Sequence, residues 1–196
     1  MTYMKTLIAI LLSITTVLAG GWQSNTQYND GVNIKPLQDG QFSFVFPSSG
    51  HVNLIGHPWK SVKPGTKITI TYKIAIISGK PKFISLDPAP SPPSLKPNFR
   101  PMLFNGDMAG SDSRFWPAGG SCAWLIADGL VHTYSVKLSP TLWTNVWGQY
   151  NADGFKNLCG HLYEIDLAFG GGNSFSHGIK VKNGSAQFQL IGFKIK

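Results

Sequence analysis

From residue 67 to residue 77 the chain alternates apolar and polar side chains with a period of two. Ile68, Ile70, Tyr72, Ile74 and Ile76 fall on one face, with Lys67, Thr69, Thr71 and Lys73 opposite. Residues 130–138 repeat the pattern: Leu130, His132, Tyr134, Val136 and Leu138 against Thr133, Ser135 and Lys137. Successive side chains of a strand point to opposite faces, so both stretches predict strands with one buried side. Shorter runs predict further strands at residues 41–46, 51–55, 82–86, 162–169, 177–182 and 186–195. Turn formers separate them at Pro47-Ser48-Ser49-Gly50, Lys63-Pro64-Gly65, Asp128-Gly129 and Asn183-Gly184. In the last strand Ala186, Phe188 and Leu190 share one parity, but Phe193 and Ile195 share the other. A β-bulge near Gly192 would turn all five inward.

About eight such strands without helical periodicity predict an all-β fold, a two-sheet antiparallel β-sandwich of jelly-roll topology. Composition agrees. Only 13% of residues are charged, Gly and Pro are plentiful, and a single glutamate, Glu164, leaves little material for long helices.

The N-terminus sets the expected compartment. Lys5, an apolar run of twelve residues at 7–18 and the small residues Val17 and Ala19 form the pattern of a secretory signal peptide cleaved near Ala19. The run is shorter than the roughly 20 residues that span a bilayer. Residues 20–196 then form a single β-sandwich domain, secreted or periplasmic, with no transmembrane segment. Loss of Lys5 lowers the formal net charge from +8 to +7. The lysines are dispersed, which suits acidic glycans or an anionic envelope better than a nucleic-acid groove.

Residues 87–101 carry six prolines and no periodicity, and they predict a long stiff surface loop. From there to Cys122 the chain reads as loop, a length at which loops tend to be functional. Flat aromatics beside polar forks are what a sugar ring requires. Trp59, Trp116, Trp124, Trp143, Trp147 and Tyr150 supply the aromatics. The mixture is densest at Trp116, Arg114, Asp107, Asp112 and Trp124, the predicted ligand-binding residues.

Other chemistry is thinner. Glu164 and Asp166 stand two apart on a predicted strand, roughly 6 to 7 Å from each other on one face. That spacing lies at the lower edge for an inverting glycosidase pair, so they are the catalytic candidates. Asn105, Asp107 and Asp112 could offer hard oxygens to a structural calcium ion, although they match no EF-hand spacing. No other cofactor is indicated. The glycine run Phe169-Gly170-Gly171-Gly172-Asn173-Ser174 lacks the Lys-Ser/Thr of a phosphate cradle and reads as a wide turn. Cys122 and Cys159, an isolated pair in an exported chain, predict a disulfide that would stabilise the fold by roughly 3 to 4 kcal/mol.

In layout the chain resembles the jelly-roll carbohydrate-binding modules and galactose-binding-like domains of secreted bacterial proteins. A lysine-proline-glycine turn feeds Ile68-Thr69-Ile70-Thr71-Tyr72, a Trp-bearing loop occupies the middle, and a strand at 188–195 closes the chain. The stretch Val136-Lys137-Leu138-Ser139-Pro140 through Trp143 and Gly148, then Phe169-Gly170-Gly171-Gly172 with His177-Gly178, is similar to secreted bacterial proteins over roughly residues 40–196. The resemblance implies a non-catalytic domain that binds a polysaccharide or cell-envelope glycan. A polysaccharide hydrolase using Glu164 and Asp166 and a basic, adhesive envelope protein are the alternatives.

Overall fold

The computed structural model describes residues 21–24, 27–86, 96–107, 109–171 and 177–196. The predicted signal peptide, most of the proline-rich segment and the end of the glycine run lie outside these residues.

Long β-branched alternation makes the two longest strands, β5 (Lys67–Ser85) and β12 (Ile179–Ile195), which pair antiparallel along nearly their whole length. Around them β2 (Lys35–Pro36), β3 (Phe42–Val45) and β9 (Val131–Lys137) complete a five-stranded sheet ordered β2-β3-β12-β5-β9. A second sheet runs β1 (Gln23–Ser24), β4 (Leu54–Pro58), β11 (Glu164–Gly170), β6 (Asn98–Phe104), β7 (Arg114–Pro117), β10 (Trp143–Asn145). Its seventh strand, β8 (Ala123–Trp124), also pairs with β6. All the strand pairs are antiparallel, and the sheets face each other as the expected jelly-roll sandwich.

The inward faces share one core, and its centre is aromatic. The Phe188 ring lies 5.3 Å from Phe44, 5.4 Å from Phe99, 5.5 Å from Phe169 and 5.9 Å from both Phe42 and Tyr72. The bulge near Gly192 is present: pairing slips between Leu190 and Gly192, so Phe193 and Ile195 pack against the core with Phe188 and Leu190.

Three expectations fail. Asn183-Gly184 does not reverse the chain. It is a bulge inside β12 facing Gly79, where the backbone of Ser78 comes too close for any side chain on Gly184. Residues 98–104 and 114–117, expected as loop, form β6 in the middle of the larger sheet and β7 beside it. Every residue of β6 is buried, so it lacks the alternation that betrays a half-exposed strand. Pro101 is tolerated because β6 pairs with β8 only at residues 98 and 99 and with β7 only at 103 and 104. The missing N–H falls beside that gap. Finally, the chain has a helix, α1 (Ala152–Gly160), preceded by the 3-10 turn η1 (Ser111–Ser113). Asn151 caps α1 by accepting from Gly154 N at 3.1 Å, and Phe155, Leu158 and Cys159 form its buried stripe. At nine residues the helix is too short for its periodicity to stand out.

Candidate functional site

The outward face of the seven-stranded sheet gathers most of the charged groups that its strands contain. Cross-strand register aligns Pro58, Glu164 and Phe104 in one row, Gly56, Asp166 and Met102 in the next, and Leu54, Ala168 and Arg100 in a third. Arg114 lies opposite Phe104, and Trp116 follows on the same side of β7. Leu54, Met102, Phe104, Trp116, Val146 and Ala168 form a second, smaller apolar cluster here, with Tyr28 packed against it.

Glu164 and Asp166 meet over Gly56. A methyl group placed on Gly56 would lie 2.6 Å from Glu164 Oε2 and 2.7 Å from Asp166 Oδ1, so only glycine leaves room for both carboxyls. Asp166 has no exposed surface, and neither of its oxygens has a hydrogen-bond partner among the described residues. Burial pushes its carboxyl well above the ordinary range, and the neighbouring Glu164 charge pushes it further. Glu164 is half-buried, and burial raises it too. Alternation placed the pair on one face correctly. It did not indicate that Asp166 is closed to solvent and so out of reach of a glycosidic oxygen.

The residues expected to bind ligand do not share one open surface. Trp116 is 2% exposed and belongs to the small apolar cluster. Arg114 is buried, and that burial lowers its pKa against the opposing influence of Tyr28 and Asp107. Trp124 keeps 37% of its surface on β8, where its carbonyl accepts from the Tyr72 hydroxyl at 3.0 Å. Asn105 and Asp107 spend their side-chain oxygens on their own turn, accepting from Asp107 N and Ala109 N. Among the described residues no group of three His, Cys, Asp or Glu side chains could hold a metal ion.

Asp112 is a fastener. Its Oδ1 accepts from Asn145 Nδ2 at 2.9 Å and its Oδ2 from Asn151 Nδ2 at 2.6 Å. Asn145 Oδ1 in turn accepts from the backbone N–H groups of Trp147 and Gln149, both at 3.0 Å. One carboxylate thereby fixes η1, the end of β10, the turn at 145–151 and the cap of α1. Asp112→Ala is expected to lower stability by about 2 to 3 kcal/mol, because it strands two amides that had a charged partner. Thermal melts would check this; a change below about 0.5 kcal/mol would contradict the fastening role.

That turn presents two exposed large aromatics. Trp147 is 72% exposed and Tyr150 62%. Gly148 between them has φ +74°, which permits the tight reversal. Beside Tyr150 opens a hollow of about 410 Å³ lined by Pro140, Thr141, Tyr150 and Ala152. Both aromatics stood in the sequence's aromatic set. What it did not reveal was which rings point outward; the Asn145-Val146-Trp147-Gly148 turn, with its Asx residue and glycine, is the signal that could have marked them.

The expected disulfide is absent. Cys122 and Cys159 are separate buried thiols. Cys159 lies on the core stripe of α1, whereas the Cys122 sulfur is directed to Gly120 O at 3.5 Å beside β8. Burial raises the Cys122 thiol, and raises Cys159 to about 11, so neither is a ready nucleophile.

No protein-family model matches the chain, and no curated protein matches it. A solved structure described as "CBM4 structure and function" is 13% identical, with 89% of this chain and 86% of that chain covered, at a TM-score of 0.39. So loose a likeness says nothing of ligand or activity.

Proposed function

We propose that this is an exported, non-catalytic glycan-binding domain that holds a saccharide against Tyr150 and Trp147 beside the hollow at Pro140 and Thr141. The observation that carries the reading is the pair of open rings on a turn held by Asn145, Asp112 and Asn151. Indole and phenol rings offer flat apolar faces to sugar C–H groups, and a turn fixed beforehand loses little entropy on binding. The same hydrogen bonds explain why large apolar surface can stay exposed without the turn collapsing onto the sheet. Trp116, buried in the small cluster, is a packing residue in this account and not a platform.

Affinity electrophoresis through gels containing neutral polysaccharides tests the reading. The wild type is expected to be retarded by at least one of them, and Trp147→Ala and Tyr150→Ala each to weaken that retardation about ten-fold, the loss of one ring contact worth about 1.4 kcal/mol. Absence of retardation in every gel would overturn the proposal. So would release of reducing ends that stops in Glu164→Gln, since that outcome makes the carboxylate pair a hydrolytic centre.

A further inference from the structure

The open face of the five-stranded sheet differs in charge from the rest of the molecule. Its strands hold nine of the fifteen lysines and not one aspartate or glutamate. The strands of the other sheet hold no lysine, and their two arginines are matched by Glu164 and Asp166. Positive charge is therefore concentrated on one side of the sandwich.

Register shows how the lysines are set. Lys196 and Lys67 exchange backbone hydrogen bonds at 2.7 and 3.1 Å, and Lys67 is the direct partner of Lys137, so three lysines cross neighbouring strands in one row. The next row on that face reads Lys194, Thr69, Ser135, then Gly192, Thr71, Thr133, then Gln189, Lys73, Val131. Toward the far end of β5, Lys82 and Lys182 again stand directly opposite each other. Strands lie about 4.8 Å apart, and like charges directly opposite destabilise a sheet. Among the described residues no lysine of this sheet is in an ion pair that would relieve them. The fold keeps this repulsion on a face where serine or threonine would serve packing equally well.

We propose that this face binds an anionic polysaccharide, at a site separate from the aromatic hollow. The polar residues between the lysines are hydroxyls and amides: Thr69, Thr71, Thr133, Ser135, Gln187 and Gln189. They match sugar hydroxyls between charged groups. Lysine ammonium groups are compact, hydrated point charges suited to carboxylates or sulfates spaced along a wet chain, whereas planar bidentate recognition would call for arginine. The strand aromatics Phe42, Phe44, Tyr72 and Phe188 are buried inward and Phe83, Tyr134 and Phe193 pack against the same core, so among the described residues of these strands no Phe, Tyr or Trp ring is left open for bases to stack on.

The test compares retention by polygalacturonate, a uronic-acid polymer, with retention by dextran, duplex DNA and phosphatidylglycerol vesicles. The wild type is expected to bind polygalacturonate most tightly and to lose at least ten-fold in affinity from about 50 to about 200 mM salt. The K67Q/K137Q/K194Q variant is expected to lose about ten-fold at low salt, while K67R/K137R/K194R retains binding and shows that the folded sheet is intact. The Trp147→Ala variant is expected to bind polygalacturonate undiminished through this face, which separates the two sites. Equal binding by the wild type and the glutamine variant, no binding to polygalacturonate, or tighter binding to DNA or vesicles would each overturn the inference.

Discussion

Phe188→Ala is expected to remove about 4 kcal/mol of stability and to lower the melting temperature by roughly 10 °C. Phe188 has no exposed surface and touches rings from both sheets: Phe42, Phe44 and Tyr72 on its own side, Phe99 and Phe169 across the core. Truncation leaves a void bounded by rigid rings on long paired strands, which cannot close in on it. Calorimetry of the variant would measure the loss. A cost under about 1.5 kcal/mol would mean that the core relaxes freely, contrary to this packing.

Asp166→Asn is expected to stabilise the protein at neutral pH by about 1 to 3 kcal/mol, the reverse of what most buried substitutions do. Asp166 is a carboxyl raised in the folded state by burial and by Glu164. Below the unfolded carboxyl pKa of about 3.9 both states hold the proton, and the group imposes no pH-linked cost. As pH rises through that value the unfolded chain releases its proton while the folded chain keeps it, so stability falls until the raised folded-state pKa is passed. Glu164 is shifted in the same direction, and the two titrate as a pair. Denaturant midpoints followed from about pH 3.5 to about pH 8 should therefore decline in the wild type and decline less in Asp166→Asn. A variant less stable than the wild type at pH 7, with an unchanged slope, would show that the carboxylate has a compensating partner.

The parts of the fold that were legible in the sequence are those with one wet and one dry face. The alternation of β5 and the parity change answered by a bulge at Gly192 belong to strands whose outer side meets solvent. β6 was not legible, because both faces of its strand are buried and Pro101, with the prolines before it, imitates a linker. The site divided in the same way. Pattern set Glu164 and Asp166 side by side, but it read Arg114 and Trp116 as loop where the fold has strand β7. Whether each ring or carboxyl meets water depends on neighbours distant in the chain: Gly56 under the acid pair, Val146 beside Trp116, Asp112 behind Trp147. Cys122 and Cys159 show the limit most plainly. Their pairing followed from compartment and count alone, and a helix that no periodicity announced carries one of them into the core.

The glycan-binding reading stands or falls on the turn that carries Trp147 and Tyr150. Titration of the wild type with the neutral polysaccharide that retards it most, followed by tryptophan emission, measures the contact directly. A saturable blue shift is expected as Trp147 leaves water, abolished in the Trp147→Ala/Tyr150→Ala double variant while its melting temperature is kept. Saturable binding of equal affinity in that double variant would contradict it.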